Sequence, residues 1–395
     1  MRPAPKLPIR ADTWDRIRRL VAFDTTSRES NLGLIEWVRD DLQRLGVKSR
    51  LTYDATGKKA NLFATIEKGP APGIVLSGHT DVVPVDGQAW DTDPFAATIK
   101  GDRIYGRGTA DMKSYLAVAL AMAPRFVDAD LKAPVHFALS YDEEVGCLGV
   151  RGLIADLAAN GIKAAGCIVG EPTSMQVVIA NKGKRAYRCT VHGREAHSAL
   201  TPQGVNAIEY AAKLVVHIRH IADRLAATEP REHGFEVPFT TMQTGTIRGG
   251  TASNIVPREC VFDFEFRYLP GANPDALERE IRDYAEKVIL PEMKRVAPEA
   301  DLAITTRSEI PGLVIGETDD LTHLGQALSR RPGCGRVGYA AEAGLFQQIG
   351  IPSIICGPGS IEQAHKPNEW VAVDQLAQCE NFMRRLMDRV CDKPA

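Results

Sequence analysis

The sequence carries little net charge and lacks the features that mark membrane or secreted proteins. Lys and Arg total 48 against 50 Asp and Glu, a formal charge of −2 at pH 7, so no broad basic field attracts nucleic acid or anionic lipid. No run approaches the roughly 20 apolar residues that a membrane span requires. The N-terminus has basic residues but no apolar stretch of a secretory signal. We therefore expect neither a nucleic acid nor a membrane as partner.

Paired cysteine motifs and a complete dinucleotide-binding loop are also missing. The eight cysteines are scattered without a C-x-x-C spacing. Cys167 and Cys356 lie inside apolar runs, so we interpret them as small core residues of a protein in a reducing compartment, and we expect a cytoplasmic location. The stretch 106–108 begins like a Gly-rich loop but lacks the full G-x-G-x-x-G pattern, which argues against a dinucleotide site.

The 395 residues suffice for two or three domains. Short apolar runs of strand length alternate with stretches of helical periodicity, which predicts an α/β fold with a largely parallel central sheet. The predicted strands are 62–66, 74–76, 135–139, 167–169 and 353–356. The predicted helices are 14–23, 33–45, 115–123, 150–160 and 374–390.

The middle of the chain has a different order of elements. Strands are predicted at 184–192, 242–247, 260–266 and 302–307, and helices at 205–225 and 274–288. This β-α-β-β-α-β order is the split βαβ, ferredoxin-like arrangement. We predict an inserted domain at 181–310, flanked by the two parts of a catalytic domain at 1–180 and 311–395.

Clusters of acidic and histidine residues follow the predicted strands or glycine turns. In open α/β sheets the ligand crevice lies at the carboxyl ends of the strands, so side chains distant in sequence converge there. Imidazoles with carboxylates form a mixed nitrogen and oxygen set that suits zinc, cobalt or manganese. A carboxylate, with two oxygens, can bridge two metals, whereas a histidine cannot. The clusters are 78–81, 106–112, 142–144, 170–172 and 365–367.

Each cluster alone has an ordinary structural interpretation. A single histidine after a strand is more often hydrogen-bonded in the core or at the surface, and an acidic triplet or a Gly-Glu-Pro is more often a solvated turn. Their joint occurrence at strand ends favours one site. The remaining histidines, apart from His197 below, have no comparable neighbours and are interpreted as structural or solvated: His136, His192, His217, His220, His233 and His323.

The ordered set GHTDVVP, GRGxxDMK, DEE, GEP and HKP resembles the co-catalytic zinc aminoacylase and carboxypeptidase superfamily, over nearly the whole chain. Within it, the stretches 166–175, 262–271 and 356–367 resemble bacterial acetylornithine deacetylases. The resemblance implies two Zn²⁺ ions, with Co²⁺ able to substitute, in a catalytic domain joined to an inserted dimerisation domain. It also implies a homodimer.

The resemblance implies a role for each matching residue. One zinc would be held by His79 and Glu171, the other by Glu144 and His365, with Asp111 as the bridge. The peptide bond after the bridging aspartate would be cis. The general base would be Glu143, and Asp81 would hold the His79 ring through its other nitrogen, the usual task of a carboxylate next to a metal ligand.

The resemblance extends to three residues of the predicted insertion. His197 would reach the active site of the partner subunit and stabilise the oxyanion, although an edge-strand histidine at a dimer seam is the alternative. Asn254 and Arg267 would bind the substrate α-carboxylate, Arg267 through its planar fork. A salt bridge from Arg267 to Glu265 or Asp263 competes with that role.

The implied reaction removes the acetyl group from N-acetylornithine, giving ornithine and acetate in arginine biosynthesis. The alternatives are succinyl-diaminopimelate desuccinylation, another N-acyl-amino-acid deacylase or dipeptidase, and a non-catalytic binding homologue. The presence of every ligand and the base disfavours the last. Glu342 and Glu362 are both candidates for recognising the δ-ammonium group of the substrate, and the sequence does not choose between them.

Overall fold

The protein, described by a computed structural model over residues 8–391, divides into two compact units. The first comprises 1–180, 313–336 and 341–395, and the second comprises 181–312 and 337–340. The sequence-based boundaries of the insertion were 181–310. Two further residues at its end, and a short return at 337–340, therefore group with the second unit.

The strands, numbered in chain order, are β1 Ser49–Tyr53, β2 Ala60–Ile66, β3 Gly73–His79, β4 Thr98–Lys100, β5 Arg103–Tyr105, β6 Val135–Ser140, β7 Ala164–Pro172, β8 Val178–Asn181, β9 Gly183–His192, β10 Ala196–His197, β11 Thr241–Gly249, β12 Ile255–Val256, β13 Glu259–Tyr268, β14 Asp301–Ile310, β15 Leu313–Val314, β16 Gly335–Val337, β17 Ser353–Gly357 and β18 Trp370–Ala372.

The helices are α1 Ala11–Val21, α2 Leu32–Arg44, α3 Lys113–Asp128, α4 Val150–Ala159, α5 Ala207–Thr228, α6 Pro274–Tyr284, α7 Leu290–Val296, α8 Asp320–Ser329, α9 Ala343–Gln348 and α10 Val373–Val390. A π-helical segment, Ala285–Ile289, joins α6 to α7. Within residues 8–391, no helix is long and apolar enough to cross a membrane.

The first unit is built on a mixed sheet whose order is β1-β2-β6-β3-β7-β17-β8-β15, with β16 paired to β8. The central strands β6, β3, β7 and β17 pair in parallel. β3 and β6 are buried along their whole length, as expected for parallel strands that are covered on both faces. The α/β class and the parallel centre are thus confirmed.

The outer pairs of the sheet are antiparallel, which a largely parallel sheet allows. β1 with β2, β2 with β6, and β8 with β17 are antiparallel. The connection from β1 to β2 is too short for the crossover that a parallel pair needs. Several short elements were not predicted, because two or three residues show no measurable periodicity: β4, β5, β15, β16 and β18.

The second unit has the predicted element order. Its four-stranded sheet is antiparallel in the order β11-β13-β9-β14, and α5 and α6 supply the βαββαβ connections. β13 alternates strictly between buried and half-buried residues over most of its length, which is the pattern of a strand with one face on a core. Its buried side chains include Phe262, Phe264 and Phe266, which pack with α5 and α6.

Candidate metal centre

The first unit brings four of the five predicted clusters to the carboxyl ends of parallel strands. His79 is the last residue of β3 and Glu171 lies near the end of β7. The segment 142–144 follows β6, and the loop that leads to His365 follows β17. Because β3 pairs in parallel with both β6 and β7, these ends share one edge of the sheet.

The remaining cluster reaches the same edge from a turn before α3. Asp111 lies in this turn, and its peptide bond to Met112 is cis, as the resemblance implies. α3 packs closely beneath the strands: a Cβ on Gly170 would lie 2.1 Å from the ring of Tyr115. A glycine next to Glu171 therefore permits the helix and the strand end to approach each other.

Asp111 lies between the two histidines and presents one oxygen to each. Its Oδ1 is 2.9 Å from His79 Nε2, and its Oδ2 is 3.4 Å from His365 Nε2. Glu171 Oε1 lies 3.7 Å from His79 Nε2, and Glu144 Oε2 lies 3.0 Å from His365 Nε2. The structure thus groups His79 with Glu171 and His365 with Glu144, on either side of one carboxylate.

Ligand atoms in this cluster are close enough to share a cation. Atoms of His79, Asp111 and Glu144 lie within 4.8 Å of one another, and so do atoms of His79, Glu143 and Glu171. The side chains of His79, Asp111 and Glu171 are almost fully buried, whereas that of His365 is 52% exposed. The donor set, imidazole nitrogens with carboxylate oxygens, fits divalent zinc and cobalt.

Electrostatics also favour a cation at this place. Burial raises the pKa of Glu143 to about 8 and, together with the charge of Asp111, that of Glu144 to about 7. Burial raises the pKa of Glu171 well above its usual range. Hydrogen bonds to Asp111 and Glu144 raise the pKa of His365 to about 10. The raised pKa values show that the negative charges of these carboxylates are poorly compensated within the protein. Divalent cations would stabilise the charged carboxylates in place of protons.

The ring of His79 is oriented for ligation by its neighbour Asp81, but through a different atom from the one expected. His79 Nδ1 is 2.9 Å from the main-chain carbonyl oxygen of Asp81 and 3.6 Å from the carboxylate oxygen Oδ1. A carbonyl oxygen only accepts, so Nδ1 carries a proton. Nε2, which faces Asp111 and Glu171, is therefore the ring nitrogen with a lone pair that could bind a metal ion.

The carboxylate of Asp81 instead holds the acidic triplet. It accepts the main-chain N–H groups of Glu143 at 3.0 Å and Glu144 at 3.2 Å, and the hydroxyl of Ser27 at 2.7 Å. No sequence motif predicted the contact with Ser27. Cys147 also lies against the predicted base, with its Sγ 3.2 Å from Glu143 Oε1.

The two candidates for δ-ammonium recognition differ in exposure. Glu342 is fully buried and its carboxylate accepts the hydroxyls of Ser140 and Ser77, while burial raises its pKa to about 7. Glu362 is exposed on the short 3₁₀ helix Ile361–Gln363. The carboxylate of Glu342 is thus hydrogen-bonded inside the core, whereas the side chain of Glu362 is accessible to solvent.

The second unit contains the other predicted substrate residues. His197 on β10 is exposed, and its Nδ1 accepts the N–H of Ala199 at 3.1 Å. Asn254 is exposed too, and its main-chain carbonyl oxygen accepts the main-chain N–H of Ser198 at 3.0 Å, so these two segments lie side by side. Arg267 Nε donates to Glu265 Oε1 at 3.1 Å, which is the competing interaction considered above.

Comparisons with known proteins agree with the geometry. Residues 75–389 match the sequence profile of peptidase family M20/M25/M40. The chain is 33% identical to an acetylornithine deacetylase of Myxococcus xanthus over 96% of this chain and 99% of the relative.

Two solved structures are similar in fold. An M20 family metallo-carboxypeptidase, Sso-CP2 of Sulfolobus solfataricus, has a TM-score of 0.78 and 18% identity, and the alignment covers 97% of this chain and 100% of the other. A dinuclear metal-binding M20 peptidase of Bacillus subtilis has a TM-score of 0.66 and 14% identity, over 97% and 98% of the respective chains.

Proposed function

This chain belongs to peptidase family M20/M25/M40 and is a metal-dependent amidohydrolase, and from that premise we propose that its substrate is N-acetylornithine. The products would be ornithine and acetate, and the reaction would serve arginine biosynthesis in the cytoplasm. The observation that carries this substrate is the 33% identity to an acetylornithine deacetylase over 96% of this chain, and the two-metal site rests on the position of Asp111, with one oxygen toward each histidine. This arrangement suits a carboxylate shared by two metal ions.

The distances support one assignment of the residues that would hold the metals. His79 and Glu171 would bind one Zn²⁺ ion, His365 and Glu144 the other, and Asp111 both. When bound, such a pair of cations lowers the pKa of water toward 7 and polarises a carbonyl group.

Glu143 is the proposed proton carrier. Its side chain is half-buried and close to His79 and Glu171, and a carboxylate positioned beside the reacting atoms can accept a proton and then donate it. Glu143 would accept a proton from the water molecule whose oxygen attacks the acetyl carbon. The bond between that carbon and the amine nitrogen then breaks, and Glu143 gives the proton to the nitrogen.

Residues of the second unit are proposed to complete substrate recognition. Asn254 and Arg267 would bind the substrate α-carboxylate, and in a homodimer His197 would stabilise the oxyanion in the active site of the partner subunit. His197 is exposed and its Nδ1 accepts the N–H of Ala199, so Nε2 is the nitrogen that could donate to an oxyanion, which supports this role. Arg267 would have to exchange its bond to Glu265 for one to the substrate.

A substrate panel tests the proposal. Acetylornithine, succinyl-diaminopimelate, acetylmethionine and a dipeptide are compared by kcat/KM with the metal-loaded enzyme. The highest value is expected for acetylornithine. A higher value for succinyl-diaminopimelate or for another member of the panel would reassign the enzyme to the corresponding alternative within the same family.

A further inference from the structure

A buried ion pair lies beside the metal centre and has no part in the chemistry proposed above. Arg107 Nη1 is 2.7 Å from Glu369 Oε2, and both side chains are 1% exposed. The two residues are 262 positions apart in the sequence. Each belongs to a segment that carries a proposed ligand: Arg107 precedes Asp111 by four residues, and Glu369 follows His365 by four.

Glu369 holds the backbone that carries Asp111. Its Oε1 accepts the main-chain N–H of Ala110 at 2.8 Å and that of Asp111 at 3.1 Å. Bonds between a charged carboxylate and main-chain N–H groups are among the stronger hydrogen bonds in proteins. The position of the bridging carboxylate therefore depends on Glu369.

Arg107 holds the loop that carries His365. Its Nη1 also donates to the carbonyl oxygen of Lys366 at 3.2 Å, and its Nη2 donates to Gln88 Oε1 at 2.6 Å. Gln88 Nε2 in turn donates to the carbonyl oxygen of His365 at 3.0 Å. Two consecutive carbonyl groups of this loop are thus tied to Arg107, one directly and one through Gln88.

The loop needs such support because its backbone is strained. His365 has φ +64° and Asn368 has φ +58°, in the left-handed region that non-glycine residues rarely adopt. Residues held there persist only when their surroundings impose the conformation. Asn368 Oδ1 accepts the N–H of Asp91 at 2.8 Å, which adds a further tie to the segment around Gln88.

We propose that Arg107, Glu369 and Gln88 form a positioning clamp that sets the separation of Asp111 and His365, and hence the affinity for the metal ion that these two share with Glu144. None of the three is among the proposed metal ligands or substrate-binding residues. The inference rests on the proposed function only in taking these residues as metal ligands, not on the identity of the substrate.

Calorimetric titration of the metal-depleted protein with Zn²⁺ alone tests the clamp. The His365→Ala variant identifies which binding step belongs to the site that contains His365. In Gln88→Ala, that step should weaken by about 10- to 100-fold, the range for residues that support metal ligands, while the other step stays unchanged. Gln88 is only half-buried, so this variant should fold.

Glu369→Gln tests the other side of the clamp. The glutamine keeps an oxygen for the N–H groups of Ala110 and Asp111 but removes the negative charge beside Arg107. Both binding steps should weaken, because Asp111 is common to both sites. The matched control is Asp41→Asn. It breaks the partly buried ion pair between Arg16 on α1 and Asp41 on α2. It should lower the melting temperature without altering either binding step.

Unchanged Zn²⁺ affinities in both Gln88→Ala and Glu369→Gln would overturn the clamp, even if Glu369→Gln melts at a lower temperature, because a merely structural pair affects stability alone. A wild-type protein that binds two Zn²⁺ ions but does not hydrolyse acetylornithine would refute the proposed substrate and leave the clamp standing. A wild-type protein without two binding steps would refute both.

Discussion

The carboxylate of Asp81 accepts the main-chain N–H of Glu143 at 3.0 Å, so the residue expected to orient a metal ligand also fixes the proposed base. Its second oxygen accepts the N–H of Glu144, while the His79 ring is bonded to the carbonyl oxygen of Asp81. The main-chain carbonyl of Asp81 thus orients the His79 ring, and the side-chain carboxylate of Asp81 holds the main chain of the segment 142–144.

Replacing Asp81 with alanine should separate these two tasks. The carbonyl oxygen that holds His79 remains, but both N–H groups of the acidic segment lose their acceptor. We expect kcat to fall by about 10- to 100-fold, the usual cost of losing support for a functional residue, with metal retained at His79. Asp81→Asn keeps one acceptor oxygen and should lie between wild type and Asp81→Ala.

The measurement is kcat together with metal stoichiometry after dialysis. Loss of the metal bound by His79 in Asp81→Ala would show instead that the carboxylate orients the imidazole ring.

Removing the metals should abolish activity reversibly. This expectation rests on the arrangement of two histidine–glutamate pairs on either side of the Asp111 carboxylate. Two divalent ions per chain are expected at full loading, and Zn²⁺ or Co²⁺ should restore activity after chelation. Because metal binds the folded state in preference to the unfolded one, reloading should also raise the melting temperature. Full activity after verified metal removal would refute a metal-dependent mechanism.

Arg267→Lys should weaken turnover of N-acyl amino acids and leave metal content unchanged. Lysine keeps the charge but loses the planar fork that matches a carboxylate. The control is Arg188→Lys on the same sheet, where Arg188 forms a two-point pair with Asp263 and no substrate role is proposed. If kcat/KM is the same in Arg267→Lys and wild type, the bond to Glu265 is the whole function of Arg267.

His136 gives the protein a pH-dependent stability unrelated to catalysis. The ring is 4% exposed, stacks on Phe63, and bonds Thr65 through Nδ1, while its Nε2 is buried without a hydrogen-bond partner among the described residues. Burial lowers its pKa from 6.5 to about 4. Between these values the unfolded chain binds a proton and the folded chain does not, so stability is lost as pH falls from 6.5 toward 4.

The free energy of unfolding should therefore fall by about 2 kcal/mol more between pH 7 and pH 5 in wild type than in His136→Asn. Asparagine cannot titrate in this range and retains a polar group close to Thr65. Urea unfolding of the metal-depleted proteins at both pH values measures the difference, and parallel pH profiles for the two proteins would assign the effect to other groups.

The polar groups at the strand ends could be predicted from the sequence, but the atoms through which they interact could not. β3 and β6 are apolar runs ended by His79 and Ser140, and parallel strands bring such ends together. Whether Asp81 offers its carbonyl or its carboxylate to His79 depends on the backbone torsions of the turn, which residue type does not determine.

Glu369 illustrates the other limit of sequence reasoning. It lies in a loop without periodicity, and its partners Arg107, Ala110 and Asp111 are 258 to 262 residues away. No local pattern predicts such a contact. The only signal was its position shortly after the HKP stretch. Likewise, exposure separates Glu342 from Glu362 only once the core around Ser77 and Ser140 is known.

Glu143 and Glu144 are adjacent but should fail in different ways when removed. Residues 143–147 form a turn, because the main-chain N–H groups of Gly146 and Cys147 both donate to the carbonyl oxygen of Glu143. The side chains still diverge: Glu144 lies 3.0 Å from His365, and Glu143 lies near His79 and Glu171.

Glu143→Ala should therefore keep fold and metal but lose about 10²- to 10⁴-fold in kcat, the contribution of a positioned proton carrier. Glu144→Ala should instead lose metal at His365, since a ligand is gone. One paired measurement of zinc content and kcat distinguishes them. Metal loss in Glu143→Ala with retention in Glu144→Ala would reverse the assignment. An active, metal-bound Glu143→Ala would mean that another group carries the proton, because no other change separates that variant from wild type.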